Sequence, residues 1–156
     1  MDEAPVGIAG NGEILFHLSP RCERQTAAQL VVFQRTPNWC APLHNGPIGD
    51  DEQRRIKADY PAIFRRCLET AGGFIHRMDP RSVFEVTPQE REAFWERLYG
   101  EPGFGIWVGN FRDVLTDARA NALMSDFAAR KIRQRVQDPA VAEKLIPKDH
   151  GFGTRR

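Results

Sequence analysis

Two short apolar runs near the start of the chain predict β-strands. Leu30–Phe33 consists of four consecutive apolar residues, which is typical of a parallel strand covered on both faces. Residues 5–10 predict an earlier strand that leads into the turn Gly10-Asn11-Gly12, and residues 13–16 can open a helix. A strand, a glycine turn, about one helix of chain and a second strand form the order of a βαβ unit.

The pattern changes after this unit. Residues 37–47 contain three prolines and predict an extended, ordered loop. From Ile56 to Leu68 the apolar residues follow the helical period of 3.6, and Asp50 can cap this helix. Pro61 predicts a kink in the helix or two abutting helices.

Three further helices have recognisable start signals. Thr87-Pro88-Gln89-Glu90 combines an N-cap threonine, a proline at the first helical position and a glutamate three residues past the cap. This signal predicts a helix over 88–99 that buries Phe94, Trp95 and Leu98. Thr116 or Asp117 opens a longer helix to about Val136, with inward side chains at Leu123, Phe127, Ile132 and Val136, and Asp138-Pro139 opens a short helix to about Leu145.

Size and charge limit the class of protein. The 156 residues make room for one domain, and 22 Lys+Arg against 21 Asp+Glu leave a net charge of +1. This balance argues against a nucleic-acid binder, which would show a basic excess on one face. No apolar run approaches the ~18–20 residues that span a bilayer, so we expect no membrane partner.

The ends of the chain and its cysteines indicate the compartment. The N-terminus is acidic and lacks the basic region and apolar core of a signal peptide. Cys22, Cys40 and Cys67 are an odd number at wide spacing, which argues against a disulfide framework or a zinc site. The four histidines form no metal-binding motif, so we expect no metal site. These features favour the cytoplasm.

Gly10, Gly12 and Arg35 are candidate nucleotide-binding residues. Gly10 and Gly12 match the first two glycines of the dinucleotide fingerprint GxGxxG, but Leu15 occupies the third position. Arg35 follows the second predicted strand, near the offset at which a Rossmann unit reads the ribose, and arginine there pairs with the 2′-phosphate of NADP. Thr36 can add a hydroxyl donor. An ordinary β-turn and a solvated arginine at a strand end remain open as alternatives.

The last residues of the chain form a second group of candidates. Residues 148–156 place several cations in a glycine-containing loop that can present Arg155 and Arg156 to phosphates or to a developing anion. A solvated tail is the alternative. Residues 104–111 indicate a buried connector, or a wall of an apolar substrate channel. Cys40, beside Trp39, is interpreted as packed rather than nucleophilic.

The run Phe33-Gln34-Arg35-Thr36-Pro37-Asn38-Trp39 resembles the NADP-binding segment of type I Baeyer–Villiger monooxygenases. These are flavin enzymes that include cyclohexanone and phenylacetone monooxygenases. The resemblance continues through residues 105–113, 138–142 and 144–149 and ends in Gly153-Thr154-Arg155-Arg156. It covers residues from about 26 to 156.

The resemblance implies roles for individual residues. Arg35 and Thr36 correspond to the pair that holds the 2′-phosphate of NADPH, and Arg155 stands where the family usually has a lysine with the same role. Arg156 stands where the family has its active-site arginine, which stabilises the anionic C4a-peroxyflavin. In the family that species attacks a ketone, and the adduct rearranges to an ester or lactone. NADPH, FAD, a small-molecule ketone and molecular oxygen are therefore the implied cofactors and partners.

The expected fold is α/β, a partial Rossmann NADP-binding domain with a mostly helical insertion. We expect the Rossmann segment over 1–46, the insertion over 47–145 and a return loop with the paired arginines over 146–156. The family's FAD fingerprint is not found in the chain, so we expect a fragment that binds no FAD, is inactive alone and self-associates through an uncovered sheet edge. The alternatives are a non-catalytic helical interaction module and a stand-alone NADP(H)-binding domain.

Overall fold

A computed structural model describes residues 6–9, 30–33, 35–70 and 72–154. Two strands, β1 (Val6–Ala9) and β2 (Leu30–Phe33), lie where the apolar runs predicted them. They pair in parallel, with Val6 opposite Leu30 and Ala9 opposite Phe33. Parallel strands have their carboxyl ends at the same edge, so the chain leaves both strands on one side. The predicted turn at Gly10 and Gly12 and the predicted helix over 13–16 lie outside the described residues.

Two abutting helices, α1 (Asp50–Ala58) and α2 (Tyr60–Leu68), confirm the interruption that Pro61 predicted. The proline lies in the first turn of α2, where its missing N–H costs no helical hydrogen bond. The cap predicted at Asp50 is wrong. Gly49 is the N-cap residue and no side chain caps α1, while Asp50 lies inside the first turn, where its charge is favourable.

The apolar face of α2 is exposed. Tyr60, Phe64 and Leu68 follow one another at intervals of four residues, and their exposed fractions are 41%, 60% and 87%. Neither α1 nor α2 contains a buried residue. The helical period in this segment therefore predicted the helices but not a buried face.

Helix α3 (Pro88–Gly100) begins with the predicted capping box. The Thr87 hydroxyl oxygen accepts from the backbone N–H of Glu90 at 3.2 Å, and the Glu90 carboxylate accepts from the backbone N–H of Thr87 at 2.8 Å. Trp95 and Leu98 are buried as predicted, and Phe94 is half-buried. The start signal and the inward face of α3 are thus confirmed.

The connector after α3 contains a short helix, α4 (Gly105–Val108), which the sequence did not predict. Phe104 is exposed, whereas Ile106, Asn110 and Phe111 are each 2% exposed. The buried connector predicted over 104–111 is therefore correct for most of its length.

Helices α5 (Ala118–Arg135) and α6 (Pro139–Leu145) follow their start signals. The Asp117 carboxylate accepts from the backbone N–H groups of Arg119 and Ala120, and Asp138 does the same for the first turn of α6. The core positions of α5 include two predicted residues, Phe127 and Ile132, and a residue that the prediction omitted, Met124. None of the helices in the described ranges is long and apolar enough to cross a membrane.

The chain divides into two compact units. The helical unit is Ala41–Met124, and the second unit combines the described residues up to Cys40 with those from Ser125. A cluster in the second unit packs apolar side chains of α5 and α6 with the loop after β2; its members are Ala129, Ile132, Ala142 and Ile146, with Trp39, Val136 and Leu145 against them. The domain boundaries at 46/47 and 145/146 stay predictions.

Candidate functional site

The candidate site begins where β2 ends. Phe33 is the last residue of β2 and lies opposite Ala9, the last residue of β1. Arg35 follows two residues later, at the edge where α/β proteins with parallel strands bind their ligands. The chain bends at Arg35 and Thr36 and then continues without regular secondary structure to Gly49.

Arg35 is exposed, and Thr36 is half-buried beside it. Within the described residues, no ion pair or hydrogen bond occupies the Arg35 guanidinium. A planar guanidinium that is free of carboxylates can bind two phosphate oxygens at once. The two predicted site residues in the described part of the chain are therefore adjacent and accessible to an anion.

Gly10, Gly12, Arg155 and Arg156 lie outside the described residues. The convergence of Arg35 and Arg155 on one phosphate stays a prediction.

Trp39 connects the loop after β2 to the chain that precedes Arg155. Its indole N–H donates to the backbone carbonyl of His150 at 3.0 Å, and its ring lies 6.4 Å from the ring of Phe152. Phe152 is 1% exposed, and its backbone N–H donates to the Ser125 hydroxyl of α5 at 3.1 Å. We call Trp39, His150, Phe152 and Ser125 the tryptophan clamp.

Sequence reasoning missed the tryptophan clamp. Trp39 was considered only as part of the Phe33–Trp39 run and as a neighbour of Cys40. Trp39 and His150 are 111 positions apart. No spacing motif signals a pair so distant, although a tryptophan in a proline-containing loop is a side chain that normally requires a partner.

Two buried polar atoms at the clamp have no hydrogen-bond partner in the described structure. Nδ1 of His150 lies 2.7 Å from the Asp149 carboxylate and donates to it. The His150 side chain is 2% exposed, and Nε2 has no hydrogen-bond partner in the described structure. Oδ1 of Asn38 is also buried and also has no hydrogen-bond partner in the described structure. Buried polar atoms are normally paired, so the two atoms are exceptions in the described structure.

Cys40 is not suited to nucleophilic chemistry. Burial raises the pKa of its thiol to about 11, and the thiol donates to the backbone carbonyl of Asn38 at 3.2 Å. Since the thiolate is the reactive form, the group is inert near neutral pH. This agrees with the interpretation of Cys40 as a packed residue. The described residues contain no cluster of three side chains that could hold a metal ion.

The chain is similar to known monooxygenases over nearly its whole length. It is 47% identical over 151 residues to 2-oxo-Δ3-4,5,5-trimethylcyclopentenylacetyl-CoA monooxygenase from Pseudomonas putida, a match that covers 97% of this chain and 28% of the relative. It is 37% identical to cyclopentanone 1,2-monooxygenase from Comamonas, covering 83% of this chain and 24% of that relative. The chain is a relative of the Baeyer–Villiger monooxygenases. It spans about a quarter of the length of these two curated relatives.

Solved structures of this family have the same fold over the matched region. OTEMO in complex with FAD and NADP superposes with a TM-score of 0.90 at 46% identity, covering 99% of this chain and 29% of that structure. A steroid monooxygenase bound to NADP gives a TM-score of 0.82 at 40% identity, over 96% of this chain and 28% of that structure. A comparison with family models finds no match. The resemblance inferred from Phe33–Trp39 is thereby confirmed.

Proposed function

We propose that this chain carries part of the NADP(H)-binding region of an FAD- and NADPH-dependent Baeyer–Villiger-type monooxygenase, and that β1 and β2 belong to a Rossmann-type sheet. The observation that carries the proposal is the exposed Arg35, which lies two positions after the end of the parallel strand β2 and has no ion pair or hydrogen bond among the described residues. The similarity to structures that hold FAD and NADP supports it.

The described residues fit the 2′-phosphate of NADP(H). The Arg35 guanidinium supplies two parallel donors and a positive charge, and the Thr36 hydroxyl supplies a third donor. We propose that Arg155 adds a second cation to the same phosphate. Gly10 and Gly12, just after β1, are proposed to let the backbone approach the pyrophosphate.

The catalytic chemistry of the whole enzyme requires a flavin. When bound, FAD supplies the activation of molecular oxygen for insertion beside the carbonyl of a small-molecule ketone. In the proposal this chain orients the reduced nicotinamide cofactor, and Arg156 places a positive charge where negative charge develops. The chain alone is proposed to be inactive as an oxygenase.

A second candidate function is a helical interaction module. The exposed face of α2 formed by Tyr60, Phe64 and Leu68 favours it. An interaction module would bind two nucleotides that differ by one phosphate equally or not at all. A preference for the phosphorylated nucleotide therefore distinguishes the NADP(H)-binding function from the interaction module.

The test is calorimetric titration of the chain with 2′-phospho-ADP-ribose and with ADP-ribose. A charge-assisted pair to phosphate is worth about 1.5–3 kcal/mol, so we expect roughly a ten- to hundredfold preference for the 2′-phosphorylated ligand. Arg35→Ala should remove most of this preference. Arg65→Ala is the matched control, because it removes an exposed arginine from α2.

Two results would overturn the proposal. One is equal binding of the two ligands by the wild-type chain. The other is no binding of either ligand at millimolar concentration. Arg155→Ala provides a separate result: if the preference survives that change but not Arg35→Ala, the role proposed for Arg155 is wrong and that of Arg35 stands.

A further inference from the structure

We propose that Trp39 is a positioning residue for 2′-phosphate recognition, because it holds the Arg35–Thr36 segment in place from a distance. This inference rests on the proposed function. Trp39 itself is not proposed to touch the nucleotide.

The segment that carries Arg35 has little structure of its own. Residues 37–49 form neither helix nor strand. An exposed arginine on such a segment loses much conformational freedom when it closes on a phosphate, which weakens binding. Pro37 restricts the backbone beside Thr36, but a proline fixes local angles and does not tie the segment to the rest of the fold.

Trp39 provides that tie. Four residues after Arg35, its indole N–H is bonded to the carbonyl of His150 at 3.0 Å, and its ring packs near buried Phe152. Phe152 is in turn bonded to Ser125 in the middle of α5, the longest helix described. The loop after β2 is thereby anchored to a rigid helix through the tryptophan clamp.

The clamp residue Phe152 also lies within the last turn of the described chain. The backbone N–H of Thr154 donates to the carbonyl of Gly151 at 3.2 Å, and Gly153 has a φ of 78°, which favours glycine. Thr154 is exposed at this turn. The segment 35–36 and residues 148–154, which lead to Arg155 in the sequence, are thus connected through a single indole.

The experiment measures the ratio of the dissociation constants for ADP-ribose and 2′-phospho-ADP-ribose in four chains: wild type, Trp39→Phe, Arg35→Ala and the double variant. Phenylalanine keeps an aromatic ring near Phe152 but has no N–H to donate. We expect Trp39→Phe to lower the ratio roughly fivefold, the effect of losing one hydrogen bond, with little change in ADP-ribose affinity. Trp107→Phe, at a half-buried tryptophan of the helical unit, is the control and should leave the ratio unchanged.

Coupling between the two residues completes the test. If Trp39 acts through Arg35, then Arg35→Ala should lower the ratio much less in the Trp39→Phe background than in the wild type. An unchanged ratio in Trp39→Phe would overturn the inference, as would an equal loss of affinity for both ligands, since that is the signature of a general structural role. Those results would leave the proposed function standing. A wild-type chain with no preference would overturn both.

Discussion

The indole N–H of Trp95 donates to Oδ1 of Asn110 at 2.9 Å, and each residue is 2% exposed. The same oxygen accepts from the backbone N–H of Phe111 at 2.8 Å, and the Asn110 amide donates to the carbonyl of Ile106 at 2.9 Å. One buried amide therefore satisfies three groups that no water can reach. It fixes α3 against the connector that contains α4.

Replacing this amide should cost much of the stability of the helical unit. Asn110→Leu keeps a similar volume but leaves the Trp95 N–H and two backbone groups without partners. Each unpaired buried group costs about 1–3 kcal/mol, so we expect a loss of about 3 kcal/mol or more in the free energy of unfolding. Urea unfolding followed by tryptophan fluorescence measures it. Gln89→Ala, on the exposed first turn of α3, should stay within about 0.5 kcal/mol, and equal effects of the two changes would contradict the role of Asn110.

Gly109 is required for a close backbone approach. A Cβ on Gly109 would lie 2.9 Å from the carbonyl oxygen of Gly105, which already accepts the Gly109 N–H at 2.7 Å. A backbone oxygen cannot move aside cheaply, so Gly109→Ala should destabilise the unit by about 1–3 kcal/mol. Gly100→Ala is the matched control, since nothing lies within 4 Å of the added carbon. A neutral Gly109→Ala in thermal unfolding would refute this account.

Local signals explain why much of the helical architecture was predictable. A capping box such as Thr87 with Glu90 acts within four residues, so the sequence contains the whole interaction. Pro61 marked the break between α1 and α2 for the same reason. The parallel strands followed from uninterrupted apolar runs.

Long-range relationships were not predictable. The partners of Asn110 and Trp39 are polar groups brought together by the chain path, and a single sequence shows no trace of such a pairing. Of the candidate site, the accessibility of Arg35 followed from its place at a strand end. The capping role assigned to Asp50 failed because an acidic residue is equally favourable one position later, inside the first turn.

The exposed face of α2 should tolerate charge. Leu68 is 87% exposed, so Leu68→Glu should change the free energy of unfolding by less than about 0.5 kcal/mol. Leu98, at 4% exposure, is the matched control, and Leu98→Glu should cost about 3 kcal/mol or more because it buries an unpaired charge. Sedimentation velocity of both variants and of the wild type measures whether the chain self-associates. A large, concentration-dependent effect of Leu68→Glu would indicate that a second copy covers this face.

Stability should fall in acid. Backbone N–H groups of Ala120 and Arg119 lower the pKa of Asp117, and the Thr87 N–H lowers that of Glu90. Side-chain hydrogen bonds from arginines lower the pKa values of three more carboxyls: Asp79, Glu85 and Glu143. A carboxyl whose pKa is lower in the folded than in the unfolded state stabilises the fold at pH values above its unfolded-state pKa. This contribution is lost as the pH falls through the folded-state pKa.

The free energy of unfolding should therefore begin to fall below about pH 5 and should fall further below about pH 4. The midpoint of urea unfolding at each pH measures this change. The three glutamates are exposed and Asp79 and Asp117 are half-buried, so each contribution is small and is screened by salt. The Asp117→Asn variant should lose less stability on acidification than the wild type. The Gln89→Ala variant should lose as much stability as the wild type at each pH. A midpoint that rises on acidification would contradict these pKa directions.

Cys40 should resist alkylation until the fold opens. With its pKa raised to about 11 by burial, the thiolate fraction at pH 8 is roughly a hundredfold below that of a free cysteine. A variant with Cys22 and Cys67 replaced by serine isolates its reaction with iodoacetamide. We expect slow labelling in the native chain and rapid, complete labelling in urea. The raised pKa also means that stability is present below the unfolded-state value and falls as pH rises above about 9, because only the unfolded chain ionises readily there. Native labelling at the rate of a free thiol would show that Cys40 is accessible and would remove the basis for treating it as a packed residue.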